Sequence, residues 1–229
     1  MIVVTSGLAA PIVTAISVDT GTPSDGITSD NQLVISGTSE ANASVEVFID
    51  AGSIGTTTAD GSGNWSFDHT GTTLADGSYA ITAAATDASG NTSATSSALN
   101  ITVDTAAPAA PAVTAITDDT GTASDGITSD NQLIITGTAE ANASVELFVD
   151  AGSIGTTTAD GSGNWSFDHT STTLADGSYA ITAAATDASG NTSAASSALN
   201  ITGDTAAPAA PAVTAITDDT GTASDGITS

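Results

Sequence analysis

The chain has 229 residues, no lysine, no arginine and a formal net charge of −26, a balance that excludes a basic surface for nucleic acid or anionic membrane. It also has no cysteine, which excludes a disulfide framework or a thiolate metal site. No apolar run approaches the roughly 18 residues of a membrane span, and the opening MIVVTSGLAA lacks a basic n-region and a long apolar core, so an export signal is expected elsewhere or the chain is a piece of a longer one.

The sequence repeats at an offset of 100 residues: Asp19 recurs as Asp119, Trp65 as Trp165, Tyr79 as Tyr179 and Asp104 as Asp204. Differences between copies are mild, among them Pro23 to Ala123, Val34 to Ile134, Val47 to Leu147 and Gly71 to Ser171. A unit of this length can bury its own core, unlike repeats of about 20 to 50 residues that must stack. Units are expected at 1–104 and 105–204, with 205–229 supplying only the first strand and loop of a third copy.

In the second copy, short period-two segments alternate with turn signals. The first strand is expected at Val113–Thr117. The second follows at Asn131–Thr138, with Leu133 and Ile135 inward, and the third at Ser144–Asp150, with Val145, Leu147 and Val149 on one face. A turn at Ala151-Gly152-Ser153 returns the chain through Ile154–Ala159. Asp160-Gly161-Ser162-Gly163 then turns it into Asn164–Asp168, where Trp165 and Phe167 face inward as core residues. The last two strands are expected at Ser178–Thr186 and Thr192–Thr202, around the turn Asp187-Ala188-Ser189-Gly190-Asn191. Tyr179 reads either as a tyrosine corner, its hydroxyl bonded back to the chain, or as an ordinary core tyrosine. With no helical stretch, the fold class is all-β: tandem immunoglobulin-like β-sandwiches, about seven strands each, arranged end to end.

Seven alternating strands bring the chain in at one pole of a unit and out at the other. With strands of up to about ten residues at roughly 3.3 Å each, a module measures on the order of 35 to 45 Å. The linker DTAAPAAP at 104–111 is stiff, because Pro108 and Pro111 hold the backbone extended. At the exit pole of the first unit lie Asp19, Asp25 and Asp30, with Asp50 and Asp76. At the entry pole of the second lie Glu140, Asn142, Asp160, Asp187 and Asn191. Asp104 stands between two acidic poles that repel unless a hard cation with oxygen ligands intervenes. The alternative is a general acidity serving solubility in a salty habitat.

Five segments together resemble the tandem bacterial immunoglobulin-like repeats of giant repeats-in-toxin adhesins, of the biofilm and ice-binding types: DDTGTASDGITSD at 118–130, GTAEANASVELF at 137–148, DGSGNWSF at 160–167, LADGSYAITAAATDASGNTS at 174–193 and the linker itself. The resemblance implies an extender: a stalk of a secreted, surface-tethered bacterial adhesin, extracellular and rigidified by calcium at its junctions. It assigns calcium ligands to Asp104, Glu140 and Asp187, which the exit-pole carboxylates Asp19, Asp25 or Asp30 are expected to join. Each unit is then expected to be marginal without calcium, since binding free energy enters folding stability. Val4-Thr5 stands where Asp104-Thr105 stands one copy later, and Val18 where Asp118 does, so only the middle junction carries the full set. The glycine-rich GGxGxD nonapeptide of that family's secretion region is absent.

Other functions fit the residues less well. His69 and His169, the only histidines, lie in a repeated WSFDHT segment with no triad or phosphate-loop context; they are expected on surface turns, and no enzyme is expected. A glycan- or protein-binding module is the main alternative, against which stand the near-identity of the copies and a low aromatic content. The N-x-S/T triplets at Asn42, Asn64, Asn91 and Asn100 are of the kind that a chain rich in Ser and Thr produces by chance. The partners expected are neighbouring repeats of the same chain, with residues 205–229 pairing with a sheet edge of another chain or continuing a fibre.

Overall fold

The computed structural model describes residues 7–213. The first unit has eight strands: β1 (Ile12–Ile16), β2 (Ile27–Thr28), β3 (Val34–Thr38), β4 (Ser44–Ile49), β5 (Gly52–Thr58), β6 (Asn64–Asp68), β7 (Gly77–Thr86) and β8 (Leu99–Val103). The second repeats them as β9 (Ala112–Ile116), β10 (Ile127–Thr128), β11 (Ile134–Thr138), β12 (Ser144–Val149), β13 (Gly152–Thr158), β14 (Asn164–Asp168), β15 (Gly177–Thr186) and β16 (Leu199–Gly203). Each unit pairs a three-stranded sheet, β1-β3-β6 or β9-β11-β14, with a five-stranded sheet, β2-β8-β7-β4-β5 or β10-β16-β15-β12-β13. All pairings are antiparallel except β2 with β8 and β10 with β16, which are parallel.

Alternation along the strands closes the core. Leu133, Ile135, Val145, Leu147, Trp165, Ile181 and Ile201 are buried between the two sheets of the second unit, and Phe167 packs half-buried against them. Trp165 lies opposite Gly137 in register, and a Cβ there would come within 2.1 Å of the indole, so the glycine makes room for the ring. Tyr79 and Tyr179 donate to the carbonyls of Ala75 and Ala175 at 2.8 and 2.9 Å, which makes both tyrosine corners.

Local features depart from the sequence reading, among them the start of β13 at Gly152 and not Ile154. The unit has eight strands because Ile127-Thr128 pairs with β16, a two-residue element too short to show a period. It is fixed by Thr128, whose buried hydroxyl donates to Asp118 O at 2.7 Å. The second long strand starts at Ile134, not Asn131, since Asp130 Oδ1 accepts from Gln132 N at 3.0 Å and turns the chain there. The last strand starts at Leu199, not Thr192. Before it, Ser193 and Ser196 run beside β15, each donating its backbone N–H to a β15 carbonyl and taking the returning N–H on its hydroxyl. His169 is buried at 8% exposure, not on a surface turn, its ring centroid 6.1 Å from that of Phe167.

The turn between β12 and β13 is made by Asp150 and Ala151, both with left-handed φ (48° and 66°). Neither is glycine; Asp150 is held there because its N–H reaches Ala180 O at 3.0 Å and its Oδ1 accepts from Ala180 N at 2.9 Å. Of the third copy's opening segment, residues 214–229 lie outside the described residues, as do Val4 and Thr5.

Candidate functional site at the repeat junction

The junction is built outward from the end of β8. Asp104 N donates to Thr28 O at 2.9 Å, so β2 fixes where the linker leaves the first unit. Asp76 Oδ1 accepts from Thr105 N at 3.0 Å and from the Thr105 hydroxyl at 2.9 Å, holding the next residue to the same pole. On the other side stands the turn from Asp187 to Asn191. Gly190, at φ +85°, closes it, with Asp187 Oδ1 accepting from Asn191 N at 2.9 Å.

Four hydrogen bonds cross from the first unit and its linker to this turn, and a fifth, from Asn191 to Asp187, braces the turn itself. The Asn191 carboxamide donates to Asp104 O at 2.9 Å and to Asp187 Oδ2 at 3.0 Å. The Ser189 hydroxyl donates to Asp104 Oδ2 at 3.1 Å. The hydroxyl of Thr20, in the loop between β1 and β2, donates to Ser189 O, and Thr22 N donates to Ala188 O at 3.4 Å. Between them Gly21 lies flat against the turn: a Cβ on it would sit 2.0 Å from Ala188 O. Ser189 is buried to 1% exposure.

The expected metal ligands are distributed unevenly around this core. Asp104 and Asp187 are brought together through Asn191. Glu140 is exposed and lines a shallow depression with Ala109, Ala110 and Ala112 on the linker. Asp25 Oδ1 accepts from Ile27 N at 2.8 Å and Asp30 Oδ1 from Gln32 N at 3.0 Å, so both shape their own loop. Asp19 sits next to the bridging Thr20; its Oδ2 accepts from Ser24 N at 2.6 Å, while its Oδ1 is buried with no donor. Asp119 repeats that orphaned oxygen in the second unit. Among the described residues no three acidic or histidine side chains converge as a metal site. The carboxylates of Asp104, Asp187 and Asp19 offer oxygen, the ligand type a hard cation takes, and Asp19 Oδ1 has no hydrogen-bond donor among the described residues.

Two segments, 8–105 and 107–205, match the model of the bacterial Ig-like domain. The chain belongs to the bacterial Ig-like domain family. A second bacterial Ig-like model, of group 3, matches 63–150. A search of curated proteins found no match. Among solved structures, the fibronectin(III)-like modules of Clostridium thermocellum CbhA are similar at 20% identity and a TM-score of 0.48, over 84% of this chain and 94% of that one. A Ca2+-stabilized adhesin with which an Antarctic bacterium reaches out and binds ice is similar at 28% identity and a TM-score of 0.45, over 86% of this chain and 48% of that one. A 1.5-MDa bacterial ice-binding adhesin is similar at 26% identity and a TM-score of 0.45, over 86% of this chain and 64% of that one.

In this bacterial Ig-like pair the junction residues that sequence reading passed over are Thr20, Gly21 and Ser189. Nothing in their letters marks them, because Thr120, Gly121 and Ser89 are the same residues in the other copy. Asp187 and Asn191 were legible, since a D-x-x-G-N turn at the expected pole carries both a carboxylate and a carboxamide.

Proposed function

We propose that this bacterial Ig-like pair is a length of extender, part of the stalk of a secreted adhesin on a bacterial surface, which holds a distal binding domain away from the cell for adhesion or biofilm formation. The observation that carries this reading is the junction itself: two near-identical sandwiches are joined in series through a proline-spaced linker, and the contacts between them fall on the loop after β1, the residue after β8 and one turn of the next unit. Such a unit adds length each time it is copied.

Calcium completes the proposal. The chain carries 26 Asp and Glu residues with no lysine or arginine to offset them, and Asp19 Oδ1 has no hydrogen-bond donor among the described residues. Asp104 and Asp187, which Asn191 brings together, would hold the ion, with Asp19, Glu140, Asp25 and Asp30 as the further carboxylates at the two poles. A bound calcium supplies neutralising charge between the poles and stiffens the joint. The test is a calcium titration of the full chain, read by small-angle scattering and melting temperature, against sodium chloride at matched ionic strength. An extender stiffens and melts later at calcium concentrations far too low to screen charge, and Asp104→Ala with Asp187→Ala removes the effect. If sodium does as much as calcium, the acidity serves solubility; if neither changes shape or melting, the calcium reading falls; and if scattering shows two units that move freely about the linker in every condition, the extender reading falls and a ligand-binding module takes its place.

A further inference from the structure

Each residue that joins the two units has a twin at a pole where no described neighbour sits. Ser189 is buried, while Ser89 is exposed. Gly21 is pressed against Ala188 and Gly190, while a Cβ on Gly121 would meet nothing within 4 Å among the described residues. Asn191 bridges Asp104 and Asp187, while among the described residues the Asn91 carboxamide bonds only Asp87, within its own turn, at 2.7 Å. The local structure at each pair of positions is alike: Gly21 and Gly121 have φ of +72° and +85°, and Gly90 and Gly190 have +86° and +85°. What differs is the neighbour.

We propose that Thr20, Gly21, Ser189 and Asn191 form a hydrogen-bonded latch that fixes how one repeat sits on the next without a metal ion. The proposal rests on the extender reading for its partner, the adjacent copy of the same unit, and is independent of calcium. The latch has a firm base on one side, because Thr20 Oγ1 also lies 3.0 Å from Ser29 Oγ and accepts from Ser29 N at 2.6 Å. On the other side the Asp187 carboxylate accepts from both Asn191 nitrogens, so the carboxamide is aimed before it meets the linker. Gly21 sets the specificity: only a residue without a side chain allows the loop to lie on the Ala188 carbonyl, so the socket accepts a D-A-S-G-N turn at van der Waals distance and excludes a loop with any Cβ at that position.

The absence of cysteine makes the test clean. Spin labels on Ser62→Cys and Ser162→Cys, exposed turn positions in the two units, report the distance between units in the full chain by pulsed electron resonance, with chelator present. The latch gives a narrow distance distribution, which is lost in Asn191→Ala and in Gly21→Ala. Asn91→Ala and Gly121→Ala, which carry the same local cost away from the junction, keep it. A broad distribution in the unsubstituted chain, a narrow one in the junction variants, or equal loss in the mirrored variants each overturns the latch. A final arm adds calcium: if the chain is broad in chelator and narrow only with calcium, the latch is wrong and the calcium reading stands. If it is narrow in chelator and unmoved by calcium, the calcium reading falls and the latch stands.

Discussion

Single aspartates do most of their visible work on their own backbone. Asp160 Oδ1 accepts from Ser162 N at 2.8 Å and Asn164 N at 2.9 Å; those N–H groups, Asn164 first, hold its carboxyl below the ordinary 3.8. The same direction holds for Asp60, Asp68, Asp87, Asp168 and Asp176, for which donors from Asn64, Thr70, Asn91, Thr170 and Thr205 respectively are the leading cause. A carboxyl whose pKa is lower folded than unfolded adds stability above the unfolded value and loses it as pH falls through the folded one. Asp160→Asn keeps an acceptor but removes the charge. It is therefore expected to be less stable than the parent at pH 7, with the gap closing as pH drops below 3.8. Melting temperatures of both proteins from pH 7 to pH 2.5 check this; a gap that stays constant would mean that the charge at 160 contributes nothing. The comparison cancels the general relief of repulsion that acid brings to so acidic a chain.

At the scale of elements, the ladders the sequence announced are those with a full period. Strand β14 runs from Asn164 to Asp168 as expected, because a glycine-rich turn bounds it and Trp165 and Phe167 mark its inner face. The stretch 192–198 misled because Thr, Ser and Ala there suit a strand, yet serine hydroxyls replace the carbonyls a strand would present. Ala183 N donates to Ser196 Oγ at 3.0 Å in a buried setting. A hydroxyl used as a backbone acceptor leaves no pattern in sequence; only packing selects it. Ser196→Ala strands a buried N–H and is expected to cost about 1 to 3 kcal/mol, read as a shift of the urea midpoint at constant slope. A shift too small to measure would show that water takes the hydroxyl's place.

The whole molecule shows the limit of reading repeats by letter. Fold class and copy number were legible because the period-two segments and the 100-residue repeat fix them, and the D-x-x-G-N turn marked Asp187 as the neighbour of Asp104 although the strand count was one short. That Ser189 is buried and Ser89 exposed was not, since the difference lies in placement between identical sequences. The same placement bears on β2 and β8, parallel partners near the two ends of each unit's chain. Two bonds to β8 and its following residue hold β2, Thr102 N to Gly26 O at 2.7 Å and Asp104 N to Thr28 O at 2.9 Å. Tension entering ahead of β2 and leaving after β8 drags parallel strands in opposite directions, so these bonds are loaded in shear and strain together, where a hairpin would unzip them one by one. Thr102→Pro deletes one N–H of this pair, and in single-molecule pulling it is expected to lower the rupture force of the first unit while the second serves as reference. Two equal peaks would place the load elsewhere. A chain with this pairing resists being pulled from its ends more than its modest core would suggest.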